Sequence, residues 1–396
     1  MRVAYVSMDS GVPVFGSKGC SIHVQEVVRS LAKLGARIEL FTTRAGGQAP
    51  SDLSKIPVHC LPSQADIEVK DRELHALSRN QQLRELLECS QPFDLIYERY
   101  SLWSYEAMEF ARTKRVPSVL EVNAPLIEEQ IIHRGLVHRE CAQTVAARVF
   151  GSAGKLIAVS SEVASYLNTF PTAQGRIHVI PNGVNVDRFP PQLRPTAAEN
   201  PTSFTVGFVG TLKPWHGIAV LVEAFDLLHK QHPNTRLLIV GDGPKRAAIE
   251  EDVRKRGLVD SVHLTGRVNP HEVTALLASM NVGVAPYDDA THFYFSPLKV
   301  YEYMAAGLPV VASQVGQLAE LIHHEETGLL CTAGDALSLA ATLARLKGDP
   351  SLAARLGRAA RSCVIRDHSW DVTVRRILNL AGLDGTRQLS HEEVAA

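Results

Sequence analysis

Apolar positions follow two rhythms along this chain: short runs of β-branched and aliphatic residues, and longer stretches with an apolar stripe at helical spacing. Arg2–Met8 is the first run, and a loop over 9–20 with Gly11, Gly16 and Gly19 follows it. Next comes a helix with Val24, Val27, Val28, Leu31 and Leu34 on one stripe, stopped at Gly35, then a strand over Arg37–Thr42. Strand, glycine loop, helix, strand opens a doubly wound α/β domain, with the loop at the carboxyl end of the sheet where ligands bind. The alternation continues with a helix over Arg72–Cys89, a strand over Asp94–Tyr97, a helix over Trp103–Arg112 and a strand over Pro117–Val122 ending at Asn123. One long helical stretch is predicted over Leu126–Phe150, a strand over Lys155–Ser160 with Ser160 and Ser161 capping the next helix, and a strand over Ile177–Ile180 that runs into the turn Pro181, Asn182, Gly183.

Between Phe189 and Pro201 four prolines stand without periodicity, so the expected organisation is a domain over 1–188, a linker over 189–201 and a second domain over 202–367, with a last helix and a fraying tail over 368–396. The second half starts again with a strand, Phe204–Val209, then Gly210, a loop to Gly217 and an amphipathic helix through Leu228. Its next strand, Thr235–Val240, opens onto Gly241, Asp242, Gly243 and Pro244, and strands over Val262–Leu264 and Val282–Ala285 follow between helices. The stretch Phe293–Ser313, FYFSPLKVYEYMAAGLPVVAS, is the centre of this half. An aromatic loop closes on Ser296 and Pro297, a helix runs from about Leu298 to Ala306, Gly307 stops it, and Pro309–Ala312 is a short apolar strand.

A chain of 396 residues with 45% hydrophobic content is long enough for two ordinary cores. The 41 basic and 42 acidic residues leave a net charge of -1, so no global field draws the protein to nucleic acid or an anionic membrane, and without a spanning run it is expected to be soluble or at most peripheral to a membrane. Six scattered cysteines fit reduced thiols in a cytoplasm, and no run approaches the roughly 20 apolar residues of a spanning helix.

Chemistry concentrates where glycine loops meet helix starts. The turn at Ser296, Pro297 and Leu298 gathers backbone N–H groups at the positive end of a helix dipole, which suits a phosphate, and Glu302 can accept two ribose hydroxyl protons, with Lys299 one turn before it. Gly241 and Gly243 resemble the start of a dinucleotide fingerprint, but Arg246 stands where its third glycine belongs, which speaks against a nicotinamide dehydrogenase. Asp288, Asp289 and His292 supply too few oxygen ligands for a hard cation, so no metal is expected. Lys213, after a strand and a glycine, is the candidate cation for phosphate. Gly16 and Gly19 would let backbone approach a ligand, and the two sets of glycine loops are expected to face each other across a cleft.

The run IPNGVNVDRF at Ile180–Phe189, GDGP at Gly241–Pro244, the step Gly266, Arg267, Val268, YEYMAAGLPVVAS at Tyr301–Ser313, the loop at Gly16–Gly19 and the tryptophan helix from Ser369 together resemble glycosyltransferase family 4. The resemblance implies the B-type glycosyltransferase fold: two facing Rossmann-like domains, the first for the acceptor and the second for the donor nucleotide sugar, with a last helix crossing back to the first. It implies retention of anomeric configuration and no bound metal or other cofactor. Glu302 matches the second glutamate of the family's motif, which holds the donor ribose, and Tyr294 stands where the first should fall. The family's diphosphate clamp, an arginine beside Gly210 and a lysine before Gly217, is replaced by Thr211 and His216, so the clamp role passes to Lys213. Gly241, Arg267 and Val268 fall on donor-binding steps of the same pattern, and Asn123 stands where the family often has a histidine near the reacting sugar. The expectation is a retaining transferase moving a sugar from a UDP- or GDP-sugar to an acceptor hydroxyl. A nucleotide-sugar epimerase or a non-catalytic nucleotide-sugar binding subunit are the alternatives that these substitutions leave open.

Overall fold

The structure is a computed structural model that describes residues 1–61, 68–133, 135–190, 203–288 and 296–383. The described residues fall into two compact units, one made of those in 1–182 with Ser296 and 370–383, the other of those in 183–190, 203–288 and 297–369.

The first unit is a parallel sheet of β1 (Arg2–Ser7), β2 (Arg37–Thr42), β3 (Val58–Cys60), β4 (Leu95–Arg99), β5 (Ser118–Val122), β6 (Lys155–Ala158) and β7 (Ile177–Val179), in the order β3-β2-β1-β4-β5-β6-β7. Strands β1, β4 and β5 are buried on both faces, which is why they read as near-continuous apolar runs, and Val3 lies beside Leu95 in the register. Helices α1 (Gly19–Lys33), α2 (Val69–Ser90), α3 (Glu106–Lys114), α4 (Leu126–His133), α5 (Arg139–Ser152) and α6 (Ser161–Asn168) cover it. The expected stripe of α1 is buried at Val24, Val27, Val28 and Leu31, and the Ser160 hydroxyl caps α6 by accepting from Val163 N at 3.2 Å. Two findings differ from the sequence pattern: β3 is an additional strand, and the single stretch expected over 126–150 is broken into α4 and α5, with Gly135 between them at φ +77°.

The second unit repeats the plan with β8 (Phe204–Val209), β9 (Thr235–Val240), β10 (Val262–Gly266), β11 (Val282–Ala285), β12 (Val310–Ser313) and β13 (Leu329–Cys331), ordered β10-β9-β8-β11-β12-β13 and parallel throughout. Its helices are α7 (Ile218–Gln231), α8 (Arg246–Lys255), α9 (Pro270–Ala278), α10 (Leu298–Ala305), α11 (Gly316–Leu321), α12 (Ala336–Gly348) and α13 (Pro350–Asp367).

In both sheets the order reverses at one pair of neighbours, β1/β4 and β8/β11, and the loops leaving the carboxyl ends of such a pair diverge and leave a crevice. The last helix, α14 (Trp370–Leu380), belongs to the first unit and packs on α1: Ser30 donates to Asp371 at 2.7 Å, and the His23 and Trp370 rings meet edge to face at 4.9 Å.

Candidate functional site

In the second unit the crevice at β8/β11 is framed by three loops and the start of α10. Gly210 leaves β8 at φ +147°, and its N–H donates to Val240 O at 2.9 Å while Leu212 N donates to Asp242 O at 3.0 Å, so the Gly210 loop is zipped to the Gly241–Pro244 loop. Under Gly210 runs the side chain of Lys299 from the first turn of α10. Its stem is partly exposed, but the ammonium is buried, 4.1 Å from the centre of the Phe208 ring and 5.4 Å from that of Tyr287, with no hydrogen-bond partner. A Cβ on Gly210 would stand 3.2 Å from Nζ, so this glycine is what lets the ammonium reach the end of β8. Burial lowers the Lys299 pKa to about 7. The rings offset part of the desolvation cost, not all of it, so this lysine is an unsatisfied cation at the sheet's switch point.

The two residues at the clamp positions carry no charge of their own to this place. His216 is held neutral, its pKa lowered to about 3 by burial and then by the neighbouring Lys299, and its Nδ1 faces the Thr211 carbonyl. With a neutral ring and a carbonyl at Nδ1, the proton sits on Nδ1. Lys213 is half-buried and its ammonium lies 5.5 Å from the centre of the Trp215 ring.

Glu302, on α10, is paired with Arg188, whose Nη1 donates to Oε1 at 3.1 Å. Arg188 comes from the NGVNVDRF run, and the sequence pattern did not single it out although that run was quoted. Ser296 and Pro297 stand directly before α10 and Leu298 opens it, and the Ser296 hydroxyl is buried without a partner. Gly241 follows β9 and bridges to Gly266, while Arg267, exposed, and Val268 follow β10 at the sheet edge, two strands from β8. Tyr294, with Asp289 and His292, lies outside the described residues. Among the described residues no group of acidic, histidine and cysteine side chains could hold a metal ion, and no helix is long and apolar enough to cross a membrane.

The first unit contributes a separate set of residues. Gly19 is the first residue of α1, and the space beside Gly16 is filled by Pro13 and Ser21, whose atoms would stand 2.7 and 2.9 Å from an added Cβ. Asn123 follows β5 and donates from Nδ2 to Glu121 Oε1 at 2.8 Å. Glu121 is itself buried, 2.6 Å from His23 and accepting from the Tyr97 hydroxyl. Burial alone would raise its pKa, but His23 together with the hydrogen bonds from Tyr97 and Asn123 outweighs that and lowers it to about 2.

Comparison with known proteins agrees with this geometry. Residues 17–188 match the family described as Glycosyltransferase Family 4, and residues 191–362 match Glycosyl transferases group 1. Glycogen synthase of Mycobacterium tuberculosis (strain ATCC 25618 / H37Rv) is 28% identical over 303 residues, spanning 74% of this chain and 70% of that protein. D-inositol 3-phosphate glycosyltransferase of Pseudarthrobacter chlorophenolicus is 27% identical over 360 residues, spanning 86% and 85%. Among solved structures, sucrose-phosphate synthase from Thermosynechococcus elongatus superposes with a TM-score of 0.74 at 22% identity over 95% of this chain and 98% of that one. Anabaena HepE in complex with UDP and glucose gives 0.72 at 18% identity over 96% and 99%.

Two parallel Rossmann-like sheets, each matched by its own glycosyltransferase model, define a glycosyltransferase of the B-type fold. The chain belongs to glycosyltransferase family 4.

Proposed function

We propose that the chain is a retaining glycosyltransferase that moves a hexosyl group from a nucleoside diphosphate sugar, with UDP or GDP as the base-bearing part, to an acceptor hydroxyl in carbohydrate or glycoside synthesis. The observation that carries the proposal is the partnerless Lys299 ammonium at the β8/β11 switch point, on the same helix as Glu302. A sugar diphosphate supplies an anion for the lysine, and its ribose a vicinal diol for the Glu302 carboxylate that Arg188 orients.

The chemistry asks for stabilisation of charge. As the bond from the anomeric carbon to the phosphate oxygen breaks, that oxygen gains negative charge, and a cation already desolvated beside it interacts more strongly than one in water. Lys299 supplies that cation from inside the site and Lys213 from its rim. The N–H groups at Ser296–Leu298 add the helix end. Glu302 holds the ribose, and Arg188 keeps its carboxylate oriented. Departure and attack on one face of the sugar, as in the resembled family, need no protein nucleophile and no metal. Tyr294 takes the place of a sugar-facing glutamate and would give one hydrogen bond and a ring face, so Tyr294→Phe should alter discrimination between donor sugars and leave affinity for the bare nucleoside diphosphate alone. The first unit would take the acceptor, with Asn123 at its strand end. The six cysteines, all free thiols, suit a reducing compartment such as the cytoplasm.

The test is calorimetric titration of the purified protein with UDP, GDP and their sugars, followed by nuclear magnetic resonance of the product anomer with EDTA present. Binding of a nucleoside diphosphate and a product of unchanged anomeric configuration is the expected result. Failure of every nucleoside diphosphate to bind, or an inverted product, overturns the proposal.

A further inference from the structure

The switch point of the first sheet also holds a cavity, of about 260 Å³, built wholly from the first unit. Its walls are the loop after β1 (Met8–Gly11), the loop after β4 (Ser101–Ser104), one face of α2 and the start of α4. Arg79 of α2 lines it and is only 5% exposed, yet among the described residues its guanidinium has no carboxylate, carbonyl or hydroxyl in hydrogen-bond reach. Arg72, two turns earlier on the same helix face, lines the same cavity and also has no side-chain partner among the described residues.

Most other polar groups of the lining are already used. Glu73 accepts from Val137 N at 3.0 Å and His138 N at 2.9 Å, and Asp9 accepts from Gly11 N at 2.7 Å. Asn80 is spent on Tyr105 N and Glu106 N at the start of α3 and on two carbonyls. Ser101 and Ser104 donate to Arg99 O and Glu98. What remains uncommitted among the described residues is two guanidinium groups together with the Gln130 amide and the Ser10 hydroxyl, with the Trp103 ring as an apolar wall.

Burial lowers the Arg79 pKa, but a guanidinium starts so high that it stays charged at any working pH. A buried lysine can shed its proton and an arginine cannot, so the cavity keeps a permanent positive charge on its wall with no protein partner among the described residues. We propose that this cavity takes the acceptor through a phosphate group on it, held by Arg79 with Arg72, so that the protein selects phosphorylated acceptors. Two planar forks of donors match the oxygens of a phosphate ester in geometry, while the Asp9 and Glu73 carboxylates of the same lining are turned to backbone N–H groups. The proposal rests on the reading of the chain as a transferase whose acceptor sits in the first unit, and the test separates the two.

The probes are inorganic phosphate and glucose 6-phosphate, titrated into the full chain with UDP saturating, against wild type, Arg79→Met and Arg79→Lys. Wild type should bind both, glucose should not compete, and Arg79→Met should weaken binding by roughly tenfold or more, with Arg79→Lys between them. The melting temperature of Arg79→Met should be nearly unchanged, since the guanidinium makes no hydrogen bond within the protein among the described residues and methionine keeps most of the apolar stem; a residue kept for structure would lower it. Arg79→Gln, closer in size, serves if the methionine variant misfolds. Equal binding of phosphate by wild type and Arg79→Met, or none by wild type at millimolar concentration, overturns the inference. If instead the phosphate results hold and no nucleoside diphosphate binds, the transferase reading falls and the anion site stands. Vesicles containing phosphatidic acid, set against glucose 6-phosphate as competitors of inorganic phosphate, assign the phosphate to a lipid headgroup or to a soluble acceptor according to which competes.

Discussion

The Lys299 ammonium stands 4.1 Å from the centre of the Phe208 ring, at the end of β8, with no hydrogen-bond partner. A site built for stability alone would place an apolar side chain there. Lys299→Met should therefore stabilise the free protein and abolish most of its affinity for nucleoside diphosphates. The lysine pKa is about 7 folded against 10.5 unfolded. Below pH 7 both states hold the proton and the burial penalty, a few kcal/mol at about 1.4 kcal/mol per pKa unit, is fully present. Between pH 7 and 10.5 the unfolded chain holds a proton that the folded one has lost, so wild-type stability climbs with pH and the mutant's advantage shrinks. Thermal unfolding at pH 6 and pH 9.5 checks this, and a methionine variant less stable than wild type at pH 6 contradicts it.

Binding of the diphosphate should carry a proton with it. Affinity for UDP or GDP should fall as pH rises above 7, by up to about tenfold per pH unit, because the neutral lysine must be recharged. His216 stays neutral with its pKa near 3, and burial raises the Tyr287 hydroxyl well above its ordinary value, so neither neighbour titrates in that range. Calorimetry in two buffers of different ionisation enthalpy reads the proton uptake directly, and Lys299→Met should show none.

Glu302 and Arg188 make a second testable pair. Glu302→Gln should weaken nucleotide binding and reduce the preference for ribose over 2'-deoxyribose, since an amide offers one accepting atom where the carboxylate offers two. Arg188→Met should cost less, because it removes the group that orients the carboxylate at 3.1 Å and leaves the carboxylate itself. Equal affinity of wild type for the two sugars would rule out the ribose role.

Lys213→Ala should leave the fold intact and lower kcat more than donor affinity, as expected of a charge felt most strongly when the diphosphate departs. Unchanged turnover at saturating donor would remove Lys213 from the site and leave Lys299 as its cation.

The strands β1, β2, β8 and β9 were legible because each is a run of apolar residues bounded by glycine or polar loops, and Gly35 and Gly307 marked helix ends where the backbone does turn to positive φ. Strands β3 and β13, at three residues each, are too short to show a period. The break between α4 and α5 had a signal in Gly135, masked by apolar spacing that continues on both sides. Lys299 was visible within SPLKVYEYM, but a lysine in the first turn of a helix ordinarily points to water. Its destination depends on Gly210, nearly ninety residues earlier, and such a distant pairing leaves no local trace. Arg188 and Arg79 were missed for a related reason: the sequence shows a charge and not which partners it lacks or finds.

Glu121 should set an acid limit for the first unit. Its pKa, lowered to about 2 against 4.5 unfolded, means that the stability from its contacts with His23, Tyr97 and Asn123 is complete above pH 4.5 and is lost as pH falls from there toward 2. Glu121→Gln should cost about 3 kcal/mol at pH 7 and flatten that acid slope, measured by urea unfolding across pH 3 to 7. A variant with the same slope as wild type would show that other carboxylates govern it.

The return of α14 to α1 also fixes an order of events at the ribosome. Trp370, Val374, Ile377 and Leu378 complete a core begun by Val24, Val27 and Leu31, so the first unit is synthesised long before its last wall exists. The entire second unit must be translated in between, a wait of roughly ten to forty seconds at ordinary elongation rates. During that interval the nascent chain presents an open apolar face on α1, a natural surface for a chaperone. Chains shortened before Trp370 would never close it, and would be cleared or aggregate even though both sheets were already encoded.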